Sequence, residues 1–91
     1  MDRIQAMEVF TRVVDANSFT RAADTLAMPR ASVTSTIQNL AALLGVRLMH
    51  RTTRRLSLTP EGAAYYEHCM KIISEIAEAD ASFQTGNRKP S

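Results

Sequence analysis

Apolar positions along the chain recur at helical spacing in four stretches, and one short stretch between the third and fourth switches to alternation. Near the amino end Ile4, Met7, Phe10 and Val14 follow Asp2, whose carboxylate suits a helix cap, and Gln5 three residues on gives a weak capping box. This predicts a first helix ending near Ala16. Asn17 and Ser18 then read as turn and cap. Phe19, Ala22, Ala23 and Leu26 form the apolar side of a second, short helix whose alanines let it lie close to its neighbours. Pro29 suits the first position of a third helix and steers Met28 out of helical geometry, so the second helix ends at Ala27 or Met28. In the third helix Val33, Ile37, Leu40 and Leu44 make one narrow stripe for a core. At about 100° per residue, Ala31, Ser32, Ser35, Gln38 and Asn39 lie opposite it, with Arg30 and Thr34 on its shoulder at the amino end. That face is small and polar enough to enter a groove.

Gly45 is a natural left-handed terminator, and beyond it Val46, Leu48, Leu56 and Leu58 alternate on either side of a basic turn, which predicts a hairpin. Arg47, Arg51, Arg54 and Arg55 fall within nine residues, and no acid occurs from Arg47 to Thr59. A solvated loop normally mixes charge signs, so this run predicts an anionic partner, with phosphate and the minor groove of duplex DNA fitting best. Two close helices, a turn, a groove-sized helix and a basic hairpin make a winged helix-turn-helix. The residues expected to read or frame bases are Arg30, Ala31, Ser32, Thr34, Ser35 and Gln38. Arg54 is expected in the minor groove, with Arg51 and Arg55 on phosphates. Thr53, like Thr52, either donates to a phosphate or shapes the turn. Ser18 caps the second helix, whose amino end could also present N–H groups to a phosphate, with Thr20 and Arg21 beside it.

Thr59, Pro60 and Glu61 are a strong helix start: a hydroxyl cap, Pro at the first position and an acid at the positive end of the dipole. About 24 residues of helix follow, in which Tyr65, Cys69, Ile72, Ile76, Ala79 and Phe83 form an uninterrupted heptad seam. Tyr66, Met70, Ile73 and Ala77 form an adjacent stripe. One stripe suffices for the helix's own domain, so the seam is expected to join a second copy in a homodimer. The final GNRKPS has nothing apolar to pack and reads as a linker. The expected organisation is therefore a mainly α fold. It has a winged helix-turn-helix over residues 1–59 (three helices and a two-stranded wing), a long dimerising helix over 60–84 and a hinge tail over 85–91.

Composition narrows the remaining classes. Ninety-one residues, 45% apolar with one Cys and no Trp, fit one small helical domain without disulfide or metal support. No 18-residue apolar run occurs and the start lacks signal-peptide character, which with the single Cys69 points to a soluble cytoplasmic protein with no membrane partner. The net charge of +2 conceals a segregation: residues 1–59 hold eight Lys or Arg against four acids, whereas residues 60–84 hold Lys71 against five. A basic head would meet nucleic acid while the acidic helix points elsewhere. His68 and Cys69 are adjacent, on different sides of a helix, and His50 is remote in sequence, so no metal site is expected. No nucleophile elbow, phosphate-binding glycine loop or acid–base dyad occurs, so neither cofactor nor catalysis is expected. The competing class is a protein-interaction winged helix that recruits an acidic partner, with incidental DNA affinity.

In order along the chain stand Phe10, Ser18-Phe19, Ala22-Ala23, Val33-Thr34, Ile37, Leu40, Leu44-Gly45-Val46, Leu48, Arg51, Arg54, Leu58-Thr59 and Gly62. This ordered set resembles the amino-terminal DNA-binding domain of LysR-type transcriptional regulators over roughly residues 3–86. The resemblance implies a winged helix-turn-helix with a dimerising linker helix, acting on a palindromic operator in a bacterial cell. It also implies a larger carboxy-terminal domain, beyond these residues, that senses a small-molecule effector and assembles the whole protein, usually as a tetramer. At the start of the recognition helix the family most often has Ser-Gln-Pro-Ala, where this chain has Pro29-Arg30-Ala31-Ser32. Ser35 stands where many relatives have a longer basic residue, and Ala41 where they usually have Glu.

Overall fold

The computed structural model describes residues 2–51 and 56–88, with the side chains of Arg51 and of residues 84–88 outside the description. Its elements run α1 (Arg3–Ala16), α2 (Phe19–Leu26), α3 (Arg30–Leu44), β1 (Met49–Arg51), β2 (Leu56–Leu58) and α4 (Pro60–Arg88). Asp2 caps α1 by accepting the backbone N–H groups of Ile4 and Gln5, and Ser18 caps α2 by accepting that of Arg21. Each of the first three helices closes on a residue in the left-handed region: Asn17, Ala27 and Gly45. The residue after each closes the turn: Ser18, Met28 and Val46 donate to the carbonyls of Val13, Ala23 and Ala41.

Helix α1 lies at the centre, against α2, α3 and α4. Phe10, Val9, Val13, Val33, Leu40, Leu48 and Cys69 are the largest fully buried side chains, and Phe19, Ala22 and Ala23 of α2 join them in one core. Three expectations need correction. The inward face of α1 is Ala6, Met7, Val9, Phe10 and Val13, while Ile4 is 46% exposed and lines an open groove with Ile73, Ile76, Ala77 and Asp80 of α4. Pro29 is the flanking cap of α3 and not its first residue: its ψ of 145° is extended, and its carbonyl accepts the first helical bonds from Ser32 and Val33. Val46 lies outside the hairpin and is exposed, since its N–H is spent on closing α3.

The wing pairs antiparallel in the register Met49 with Leu58, His50 with Ser57 and Arg51 with Leu56. Thr59 ties its base to α4. Its hydroxyl donates to the carbonyls of Arg47 (2.5 Å) and Leu48 (3.1 Å) and accepts the N–H of Gly62 (2.9 Å). Beyond this knot α4 runs through Arg88, so residues 85–88 continue the helix where a linker was expected. Extending an existing helix needs no new nucleus, and one glycine does not stop it. The molecule is drawn out accordingly: it measures 56 × 25 × 22 Å with a radius of gyration of 15.1 Å, against about 12 Å for a compact chain of this length.

Candidate nucleic-acid interface

The exposed side of α3 presents a shallow concave surface formed by Arg30, Ala31, Thr34, Ser35 and Gln38. Five of the six residues predicted on this helix thus come together. Ser32 does not; it is half-buried on another side of α3, where its carbonyl accepts the Thr36 hydroxyl. The opposite stripe, Val33, Ile37 and Leu40, is buried, so the polar face cannot turn inward without exposing the core. Ala31 and Ser35 keep the surface low enough for close approach.

Beside this surface, a mostly apolar cleft of about 120 Å³ separates α3 from β1, lined by Phe19, Ile37, Leu48 and Met49 with Thr34, Gln38 and Arg47 among its rim residues. Arg47, which belongs to the basic run but not to the expected DNA contacts, therefore lines the same cleft as Gln38. The signal for it was Gly45: its left-handed turn (φ 72°) sends the chain back along α3, and the Thr59 hydroxyl fixes the Arg47 carbonyl there. The wing backbone emerges from the same side. Arg51 ends β1, with its side chain outside the description, and Thr52, Thr53, Arg54 and Arg55 lie outside the described residues. Thr20 and Arg21 are exposed on the first turn of α2, on a different element from the concave surface; Ser18 is engaged as the cap.

The expected dimer seam on α4 divides into two parts. Tyr65 and Cys69 face the chain's own head. The Tyr65 ring meets Phe10 at 5.9 Å between centroids and Cys69 is fully buried. Cys69 is thus a core residue and is not available to a partner. Burial pushes its thiol up to about 11, despite the opposing influence of Tyr65, so it stays protonated and unreactive near neutral pH. Burial also raises the Tyr65 pKa, with Cys69 adding and Arg3 opposing, yet the hydroxyl has no partner of hydrogen-bond geometry among the described residues. Neighbouring Tyr66 donates a hydrogen bond to Asp15 of α1, which, with burial and the carboxylate's charge, raises its pKa. Farther along, Ile76 is half-buried at the edge of a groove with Ile4, Glu8 and Ala77. Ile72 (38%), Ala79 and Phe83 (76%) are exposed. Among the described residues no group of three or more His, Cys, Asp or Glu side chains could hold a metal ion, and no helix is long and apolar enough to cross a membrane.

Residues 4–63, from the start of α1 into α4, match the bacterial regulatory helix-turn-helix proteins of the lysR family. The chain belongs to the LysR family. Over 90 residues it is 48% identical to an HTH-type transcriptional repressor of Pseudomonas aeruginosa (strain UCBPP-PA14), covering 99% of this chain and 28% of that protein. It is 36% identical, also over 90 residues, to the HTH-type transcriptional activator AaeR of Escherichia coli (strain K12), covering 99% of this chain and 29% of that protein. The chain thus spans under a third of either relative. Its fold is that of the BenM DNA-binding domain solved in complex with catB site 1 DNA, with a TM-score of 0.90 at 31% identity over 97% of this chain and 98% of that one. As a LysR-family winged helix-turn-helix, the chain has the mainly helical architecture and two-stranded wing that the hydrophobic pattern predicts.

Proposed function

We propose that this LysR-family head binds duplex DNA sequence-specifically as a homodimer, setting α3 of each copy in successive major grooves of a palindromic operator and each wing in the flanking minor groove. The observation that carries the reading is the concave surface of Arg30, Ala31, Thr34, Ser35 and Gln38, groove-sized, polar and beside the basic wing. The solved BenM DNA-binding domain, which shares this fold, is bound to DNA. Arg51, Thr53, Arg54 and Arg55 supply wing contacts, with Arg54 in the minor groove; Ser18, Thr20 and Arg21 hold the backbone at the start of α2. The dimer forms through the part of α4 beyond Cys69, by the exposed Ile72, Ala79 and Phe83 with the half-buried Ile76 between them. The head serves a cytoplasmic transcriptional regulator, not an enzyme, that forms a tetramer and whose effector acts through a further domain. Repressors and activators both carry relatives of this head, so kinship of the head alone does not give the direction of regulation.

The test is selection of bound duplexes from a random pool at low and high salt, with light scattering for mass. An enriched palindrome with half-sites about one helical turn apart, bound by a dimer, is expected. Binding that merely fades with salt and enriches nothing would overturn sequence-specific recognition. Arg54→Ala should weaken every site and lower the salt slope by about 1, because a cation in the minor groove also displaces about one counterion; an unchanged slope would count against this role.

A further inference from the structure

Arg30 opens α3 with an exposed side chain that has no ion pair or hydrogen bond among the described residues. Stability does not select an arginine there. Its charge lies at the positive end of the helix dipole, no carboxylate offsets it, and Pro29 supplies no side-chain cap to the amino end. The position therefore carries a cation at a cost to the helix, which directs attention to what the guanidinium meets outside the chain.

Its surroundings separate a base contact from a phosphate contact. The arginines expected on phosphates at the wing, Arg51 and Arg55, stand in a run of like charge with no acid near them in sequence. Arg30 is instead the only charged residue of a surface whose other members are Ala31, Thr34, Ser35 and Gln38. Thr34 and Gln38 follow it at one and two turns, displaced by about 40° each time, so the three form a single slanted row along the helix. A row of that kind runs along the floor of a groove, and its first member lies where base edges are read at the amino end of a recognition helix. We propose that Arg30 reads a guanine, its planar fork donating two N–H bonds to the O6 and N7 acceptors in the major groove, and so fixes one G·C pair in each half-site. This rests on the operator-binding reading above and adds to it the identity of one base.

The experiment selects duplexes from a random pool in parallel with the 91-residue chain and its Arg30→Gln, Arg30→Lys and Arg30→Ala variants, with circular dichroism to check that each is folded. The unmodified chain should enrich a motif with one guanine per half-site discriminated about 5- to 150-fold. Arg30→Gln should move the preference at that pair alone to adenine, since a Gln amide matches adenine N6 and N7. Arg30→Lys should retain guanine with weaker discrimination, and Arg30→Ala should flatten that one position. If Arg30→Ala instead lowers affinity equally on all duplexes and leaves the motif unchanged, Arg30 is a phosphate contact and the inference is overturned, while operator binding stands. If the unmodified chain enriches no motif, operator binding fails and takes the inference with it.

Discussion

Asn17, Ala27 and Gly45 each end a helix in the left-handed region, and the cost differs among them. Glycine adopts it without strain and asparagine is tolerated, but an alanine Cβ crowds the following carbonyl, at about 1 kcal/mol or more. Ala27 occupies the turn between α2 and α3, with φ 55° and an exposed side chain, so no packing offsets the strain. Ala27→Gly should therefore stabilise the head, partly offset by the greater freedom of glycine in the unfolded chain. The expected net gain is about 0.5 kcal/mol, a rise in Tm of a few degrees. Thermal unfolding of the two chains measures it, and a lower Tm in the variant would show that this turn is not strained. At the same scale, the sequence located this turn through Pro29 but misplaced Pro29 by one residue. A proline's fixed φ suits both the flanking cap and the first helical residue, and only ψ separates them.

Among the elements, α3 was the most legible, because a narrow apolar stripe on a 15-residue helix leaves one way to bury it. Helix α4 was read less well. Its seam is continuous in sequence, but the head covers only the first part, so Tyr65 and Cys69 become core while the same line runs on into solvent at Ile72, Ala79 and Phe83. A one-dimensional pattern records that a stripe is apolar and not where its neighbour ends. Gly62 decides the approach of α4 to the wing. A Cβ there would stand 1.8 Å from the Leu48 carbonyl oxygen, which is backbone and is also held by Thr59. Gly62→Ala must therefore push the first turn of α4 off the Leu48 carbonyl, and should cost about 2–3 kcal/mol as overpacking against an unyielding neighbour does. Chemical denaturation tests this, with Ala64→Gly on the exposed side of the same turn as a helix-propensity control. Since Gly→Ala inside a helix otherwise gains about the 1 kcal/mol that Ala64→Gly loses, a Gly62→Ala chain as stable as the parent or more so would mean that the junction yields freely. The wing tip, where Arg54 is expected to act, lies outside the described residues, so its charge pattern remains the ground for that assignment.

For the molecule as a whole, the charge segregation and the projecting helix predict two opposite responses to salt. With the basic head holding DNA through phosphate neutralisation, as proposed, affinity should fall steeply, by about 1,000-fold or more between 50 and 200 mM salt if six or more phosphates are contacted. The exposed stripe on α4 behaves differently. Its spacing of four, three and four residues from Ile72 to Phe83 is the same read in either direction, so two copies can pair antiparallel, Ile72 against Phe83 and Ile76 against Ala79. That contact buries apolar surface while bringing together two copies of Glu75, Glu78 and Asp80, against one Lys71 each. Salt screens this repulsion and leaves hydrophobic burial in place, so dimerisation should hold or tighten over the range in which DNA binding weakens. Sedimentation of the free chain across the salt series, alongside a DNA titration, separates the two responses. Phe83→Asp should shift the free chain toward monomer at every salt concentration without altering its thermal unfolding as a monomer, because Phe83 is 76% exposed and outside the core. A dimer that dissociates as salt rises, or that survives Phe83→Asp unchanged, would place the interface on another surface of the head.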